Sequence, residues 1–235
     1  MPFLRPWDSS CPKVWDTWES DGTRFVIQDL PPDDDENAVQ LLVDHLIPDE
    51  LLFSVNNIQD DPLIVIGLKR YWRSVLMYRV SLACYAEKDG TRTLVGLNCC
   101  IVLRKSYRDK TPKVIHIFGL AWNNVHNATT VVSGNVDLFK TLGVDKYYYG
   151  SGLVVSRDYR GAKLGTRILA AREHICRHLG LKATAAIFTG PISQWAARNA
   201  GFVPLRSATL RDLVAAGLNY PEDDRTILLM YKEYK

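Results

Sequence analysis

Residues 146–201 read KYYYGSGLVVSRDYRGAKLGTRILAAREHICRHLGLKATAAIFTGPISQWAARNAG. The aromatic and β-branched run over 147–155 predicts a strand, and the charged hexapeptide Ser156-Arg157-Asp158-Tyr159-Arg160-Gly161 predicts a turn. Leu164, Ile168, Ala171, Ile175 and Leu179 then recur at helical spacing, and Gly180 stands where a helix C-cap belongs. Residues 183–188 predict a second buried strand, and Pro191 opens a second helix. A strand–helix–strand order implies parallel strands with a right-handed crossover. The turn leaves free backbone N–H groups at a helix N-terminus, beside Arg160 and Lys163, which suits a phosphate.

The chain has 235 residues, 47% of them hydrophobic, enough for one well-buried domain. A net charge of +3 with no long basic run argues against nucleic acid as a partner, and no apolar run approaches the ~20 residues needed to cross a bilayer. The first residues include Arg5, Trp7 and Asp8 and form no continuous apolar core, so a signal peptide is not expected. The five cysteines are an odd number without CxxC spacing, and Cys99-Cys100 falls within an apolar strand pattern. A disulfide framework or zinc site is therefore not expected, and a cytoplasmic protein is.

Outward from the central stretch, residues 1–22 read as an extended arm packed through Trp7, Trp15 and Trp18, and residues 24–30 as a strand. Val39, Leu42, Val43 and Leu46 predict a helix ended by Pro48, residues 49–60 a loop, and 62–78 a second helix. Strands over 80–86 and 93–103 flank Asp89-Gly90, a strong hairpin signal. Residues 104–146 give little: helix and strand compete over 114–120, and 137–142 predict a helical turn. Residues 202–210 predict an edge strand at Pro204, 211–216 a short helix, and 226–234 a last strand. No repeat or linker appears, so one domain over 1–235 is expected, with 1–22 as its arm.

Glu36 falls three residues before Val39 and seven before Val43, which predicts a place on the buried side of its helix. Position alone favours a capping box with Asp33; a general base at the edge of a cleft is the alternative. His174 and His178 are four apart on one helix, but no further ligand is evident, so a solvated face is expected. His116 is read as a core histidine.

The turn is neither a P-loop nor a Rossmann fingerprint, since GxxxxGK[ST] and GxGxxG are both missing. Arg160-Gly161-Ala162-Lys163-Leu164-Gly165, following Leu153-Val154-Val155, resembles motif A of the GNAT superfamily of N-acetyltransferases, Arg/Gln-x-x-Gly-x-Gly/Ala. SQWAARNAGF, residues 193–202, resembles motif B. The resemblance runs from about Phe25 to the C-terminus. It implies an α/β (α+β) fold whose mixed, mostly antiparallel sheet holds a central splayed pair of parallel strands. It implies acetyl-CoA as co-substrate, with the pantetheine along Leu153, Val154 and Val155 and the pyrophosphate held by Arg160, Gly161, Ala162, Lys163, Leu164, Gly165 and Thr166. Lys163 departs from the pattern, because the family has glycine there; its charge offers a compensating pairing with phosphate.

PPDDDENAVQLLVDHLIPDELL further resembles the insect arylalkylamine N-acetyltransferases, including those that act on dopamine. Counting back from Asp49-Glu50 puts Glu36 on that family's catalytic glutamate, which turns the reading of Glu36 towards the base. The tail reads Asp49-Glu50-Leu51-Leu52, without the family's proline. Ala197 replaces the tyrosine that serves many GNAT enzymes as general acid; insect relatives place serines nearby, at positions matching Thr189 and Ser193. The implied activity is direct acetyl transfer to the primary amine of a small arylalkylamine, with Ser193 also a cofactor contact, no metal, no membrane or nucleic-acid partner, and a monomer favoured. The alternatives are another amine (polyamine, agmatine, histamine), a longer acyl-CoA, or a non-catalytic acyl-CoA-binding regulator.

Overall fold

In the computed structural model, which describes residues 3–106 and 117–235, strand pairing starts from tight turns. Asp21-Gly22 and Asp89-Gly90 both take positive φ, the geometry that matches the twist of paired strands. They join β1 (Val14–Ser20) to β2 (Thr23–Asp29) and β3 (Leu82–Lys88) to β4 (Thr91–Arg104). With β5 (Lys146–Val155), β6 (Ala183–Phe188), β7 (Val203–Thr209) and β8 (Thr226–Glu233), they form one sheet in the order β1-β2-β3-β4-β5-β6-β8-β7. Every pairing is antiparallel except β5–β6, so the expected mixed sheet with one parallel pair is what the chain builds.

The arm proves to be part of the sheet, as edge strand β1 over Val14–Ser20. Its anchor is Asp29, fully buried, which accepts from Arg5 Nη1 at 2.6 Å, Trp15 Nε1 at 2.8 Å and the Lys13 amide at 2.7 Å. Such a carboxylate tolerates burial because a cation and several donors satisfy it. Trp18 stacks on Phe25, ring centres 5.0 Å apart, and the Arg167 guanidinium lies over the Trp18 ring at 4.2 Å. At the far edge β7 accommodates Pro204, as the sequence predicts.

Helices cover both faces. On one lies α6 (Leu164–His178), whose Leu164, Ile168, Ala171 and Ile175 pack against Leu82, Cys84, Val95 and Cys100, with α7 (Pro191–Asn199) beside it over Phe188 and Leu228. On the other lie α1 (Asp35–His45), α2 (Leu51–Val55), α3 (Pro62–Leu76), α4 (Leu120–Ser133), α5 (Leu138–Thr141) and α8 (Leu210–Ala215). Two expectations need correction here. The loop expected over 49–60 contains α2, started by the Glu50 side chain accepting from the Phe53 amide at 2.8 Å. The ambiguous region contains α4, whose Val125, Ala128 and Val132 are buried on one stripe that carries too few large apolar residues to stand out in sequence. Residues 107–116, including His116, lie outside the described residues.

Candidate active site

The site begins where β5 and β6 part. Their ladder holds only Tyr148↔Thr184, Tyr149↔Ala185 and Gly150↔Ala186. Beyond Gly150 the register of β5 against β4 shifts: Cys100 pairs with Gly150 and Cys99 with Gly152, leaving Ser151 as a bulge. A bulge bends its strand. Residues 151–155 then stay with β4 while Ile187 and Phe188 stay with β8, so a cleft opens with strand backbone on both walls.

A polar brace holds the branch point. Arg172 of α6, 1% exposed, donates Nε to Asn98 Oδ1 at 2.6 Å and Nη1 to Thr184 Oγ1 at 3.1 Å. Asn98 in turn donates to the Gly152 carbonyl at 2.7 Å, and Thr184 to that of Tyr148 at 2.9 Å. A Cβ at Gly150 would collide with Arg172 Nη2, so any larger residue here would push this buried guanidinium aside.

The predicted cofactor residues come together at one end of the cleft. Leu153, Val154 and Val155 form the last part of β5, and a 3-10 turn, Arg157–Tyr159, leads to α6. Gly161 at φ +86 and Lys163 at φ +58 turn the chain so that α6 starts at Leu164 with no side chain capping it. The first-turn amides are thus free of a cap, as an anion site requires. Arg160, Gly161, Ala162 and Lys163 are exposed there and Gly165 half-buried. Thr166 Oγ1, in the same turn, is buried without a hydrogen-bond partner among the described groups. Free amides, an orphaned hydroxyl and an open strand edge together fit the pyrophosphate and pantetheine of acetyl-CoA.

Asp49 ties this turn to the end of α1. It pairs with Arg157 Nη2 at 2.8 Å and Arg160 Nη2 at 2.7 Å, and first Arg157, then Arg160, holds its carboxyl below the ordinary range. Nothing near Asp49 in sequence announces this, since its partner Arg157 lies 108 positions away.

Glu36 requires correction. It lies near the start of α1, but its side chain is 68% exposed and both oxygens accept from Arg73 of α3 at 2.7 Å. Arg73 lowers its pKa. No capping box forms either: Asp34 is the N-cap, but its side chain accepts from Asn37 and Tyr85 and not from a helix amide, and Asp33 lies in the 3-10 turn before it. Helical spacing gave the right stripe for Val39 and Leu42, but the buried face of α1 is Ala38, Val39, Leu41 and Leu42, and Glu36 lies outside it within reach of Arg73.

Ser193 and Thr189 both lie in the segment following β6. Ser193 Oγ donates to the Gly190 carbonyl at 2.9 Å and receives the Gly190 amide at 3.4 Å, so it closes the first turn of α7. Thr189 faces the carboxylate of Glu50. On the α1–α3 side of the cleft Tyr71 meets the hydroxyl of Ser151, and burial raises its pKa. The Phe53 and Trp122 rings pack 6.3 Å apart near the same face. Ala197 is fully buried on the inner face of α7. His178 packs on Trp15, 5.7 Å between ring centres, instead of joining His174 in a metal pair, and the described residues hold no cluster of three or more metal-ligating side chains. The five cysteines are free thiols; Cys84, Cys99, Cys100 and Cys176 are buried, and burial raises their pKa values, the opposite of nucleophile activation. No helix of the described residues is long and apolar enough to cross a membrane.

Comparison with known proteins agrees with this geometry. The model of the acetyltransferase (GNAT) family matches residues 129–198. Among solved structures, a protein of the yellow fever mosquito Aedes aegypti, provisionally named arylalkylamine N-acetyltransferase 7, is 30% identical over 98% of both chains, with a TM-score of 0.87. Arylalkylamine N-acetyltransferase 2 of Aedes aegypti superposes with a TM-score of 0.74 at 18% identity, over 90% of this chain and 99% of that one. A polyamine N-acetyltransferase of Drosophila melanogaster that forms N-acetylagmatine gives 0.73 at 15%, over 89% and 99%. The last two likenesses concern the fold alone. No curated protein sequence matches.

Proposed function

The chain belongs to the GNAT acetyltransferase family, and from that premise we propose that it transfers an acetyl group from acetyl-CoA to the primary amine of a small arylalkylamine. The observation that carries this reading is the cleft between β5 and β6, open beyond Gly150 and ending at the uncapped N-terminus of α6. Acetyl-CoA supplies the acetyl group as a thioester. Residues 153–155 offer backbone groups to the pantetheine, and the amides around Leu164 and Gly165, with Lys163, Arg160 and the Thr166 hydroxyl, hold the pyrophosphate. In this reading, backbone N–H groups of β5 along the open edge of the cleft stabilise the developing oxyanion. Both substrates sit in one cleft and the buried thiols are unactivated, so transfer is direct.

The half-buried rings of Phe53 and Trp122 beside the cleft favour an arylalkylamine, as does the likeness to the Aedes aegypti protein. A primary amine is mostly ammonium at neutral pH, its pKa being about 10, so a carboxylate must take a proton before the nitrogen attacks. The family resemblance gives that task to Glu36; the exposed ion pair with Arg73 does not favour it. Ser193 and Thr189 are the hydroxyls closest in sequence to the missing tyrosine position, and Ser193 acts as a relay only by giving up its bond to Gly190. The test is an assay of thiol release and N-acetyl product across tryptamine, phenethylamine, dopamine, spermidine, agmatine and histamine with acetyl- and longer acyl-CoA donors. Arylalkylamines with acetyl-CoA are expected to give the highest kcat/KM. A ranking led by polyamines, or by long acyl donors, moves the substrate class and keeps the fold.

A further inference from the structure

A second concavity, of about 450 Å³, runs along α1 where the helix passes over β3 and β4, apart from the β5/β6 cleft. Its floor is apolar: Leu41 and Tyr85 are buried there and Leu94 is half-buried. Asp34 stands at one end and Asp44 and His45 at the other, with the exposed side chains of Asn37 and Gln40 between them. Asp34 and Asp44 lie ten residues apart along α1, which puts them about 15 Å apart on the helix axis. A trough of this volume, with an apolar floor and a few polar groups at its rim, has the form of a small-molecule site.

The polar groups of the trough are left short of donors. Asp34 accepts from Asn37 Nδ2 at 2.9 Å through Oδ1 and from the Tyr85 hydroxyl at 2.6 Å through Oδ2; Asp44 Oδ1 accepts from Gln40 Nε2 at 2.7 Å. A carboxylate oxygen takes two hydrogen bonds, so both groups keep acceptor capacity. Asn37 and Gln40 direct their NH2 groups at the two aspartates, and their carbonyl oxygens have no donor among the described groups. Among the described residues no arginine or lysine pairs with Asp34 or Asp44, whereas Asp35 and Asp49, close by in the chain, pair with Arg79 and Arg157. Arg92 lines the β4 wall, but Glu87 at 3.3 Å and Gln28 at 2.6 Å hold it, and it lies over the Tyr85 ring. The trough thus offers two uncompensated carboxylates joined by an apolar strip.

We propose that this trough binds a linear polyamine, with its terminal ammonium groups on Asp34 and Asp44 and its methylenes over Leu41 and Leu94. The inner ammonium groups meet the carbonyl oxygens of Asn37 and Gln40. This is a binding site outside the acetyl-transfer cleft, so it stands whichever amine that cleft takes. It is joined to the cofactor turn through His45, whose Nδ1 receives the Arg157 amide at 3.4 Å and whose carbonyl receives Arg160 Nη2 at 3.2 Å. A guest that fixes the last turn of α1 fixes these two partners as well. Polyamine and acetyl-CoA then strengthen each other's binding by one common factor. That link rests on the acetyl-CoA site described above; the polyamine site does not.

The test is calorimetric titration of spermine into the full chain saturated with coenzyme A and tryptamine, so that the cleft is already filled. One spermine per chain is expected to bind, more tightly than putrescine, which is too short to reach both carboxylates. Asp44→Asn keeps an acceptor for Gln40 on an exposed side chain while the charge is lost. It should weaken spermine about fivefold and flatten the salt dependence, with tryptamine turnover in the absence of spermine unchanged. Asp34→Asn keeps an acceptor for Tyr85 and should weaken spermine similarly, its melting curve showing that it folds. Acetyl-CoA affinity, measured without tryptamine, should rise in spermine for wild type and not for Asp44→Asn. Wild-type spermine affinity in both variants, equal affinity for putrescine, or spermine binding only when tryptamine is left out overturns the proposal and leaves the acetyltransferase reading intact. Unchanged acetyl-CoA affinity in saturating spermine overturns the link between the two sites. Failure of the acetyltransferase reading shows separately, as acetyl-CoA that no amine consumes.

Discussion

Lys163 carries the backbone conformation that glycine supplies in the family pattern, φ +58, with its side chain exposed at the start of α6. A non-glycine residue held there costs about 1 kcal/mol or more. Lys163→Gly is therefore expected to raise the urea midpoint modestly. It should also weaken acetyl-CoA binding and flatten its salt dependence, because one cation leaves the phosphate site; calorimetry at two salt concentrations reads this. Unchanged affinity and salt slope would show that Lys163 does not reach the phosphate. Glu50 gives the second residue-scale prediction. Its folded-state pKa is raised above the ordinary 4.5 by burial, so between those values the native chain binds more protons than the unfolded one. That part of the stability is present in acid and is lost as pH rises through the ordinary value towards the raised one. Glu50→Gln should then melt higher than wild type at neutral pH, with the gap closing below the ordinary carboxylate range. Melting curves across pH check it.

At the scale of elements, the cleft depends on one bulge and one buried guanidinium. Ser151 bends β5 away from β6, and Arg172 fills the space that Gly150 leaves. Gly150→Ala pushes Arg172 off Asn98 and Thr184 and leaves buried polar groups unpaired, at a cost of about 2–4 kcal/mol. A denaturation midpoint near wild type would contradict this brace. These elements also explain what the sequence made legible. The β5–α6–β6–α7 unit is contiguous, with apolar stripes, a glycine turn and a proline start all within residues 146–201, so the cofactor half of the cleft is readable. The corner where α2, α4, the β6–α7 turn and the loop ahead of β8 meet is not contiguous: its Asn56–Tyr220 hydrogen bond spans 164 positions. α2 is five residues long, too short for periodicity, so Glu50 carries no local signal beyond preceding two leucines. For Glu36, spacing reported the face of the helix but not the arginine waiting on α3.

Across the whole molecule, the two faces of the sheet divide the work. The α6–α7 face presents the uncapped helix end for the cofactor, and the face under α1–α4 gathers Glu50, Phe53, Trp122 and Tyr71. The cleft between β5 and β6 opens between these faces, and the arm pinned by the Arg5–Asp29 pair lies along the β1 edge of the sheet. The central claim is that a primary amine and acetyl-CoA meet in that cleft and exchange an acetyl group. The most direct measurement is a time course of purified protein with acetyl-CoA and tryptamine, following N-acetyltryptamine by mass spectrometry and free thiol by absorbance. The account predicts that both rise together in equal amounts, in proportion to enzyme, with no acetyl group left on the protein. Acetyl-CoA that binds and stabilises the chain but is never consumed, with this or any other primary amine, would contradict it.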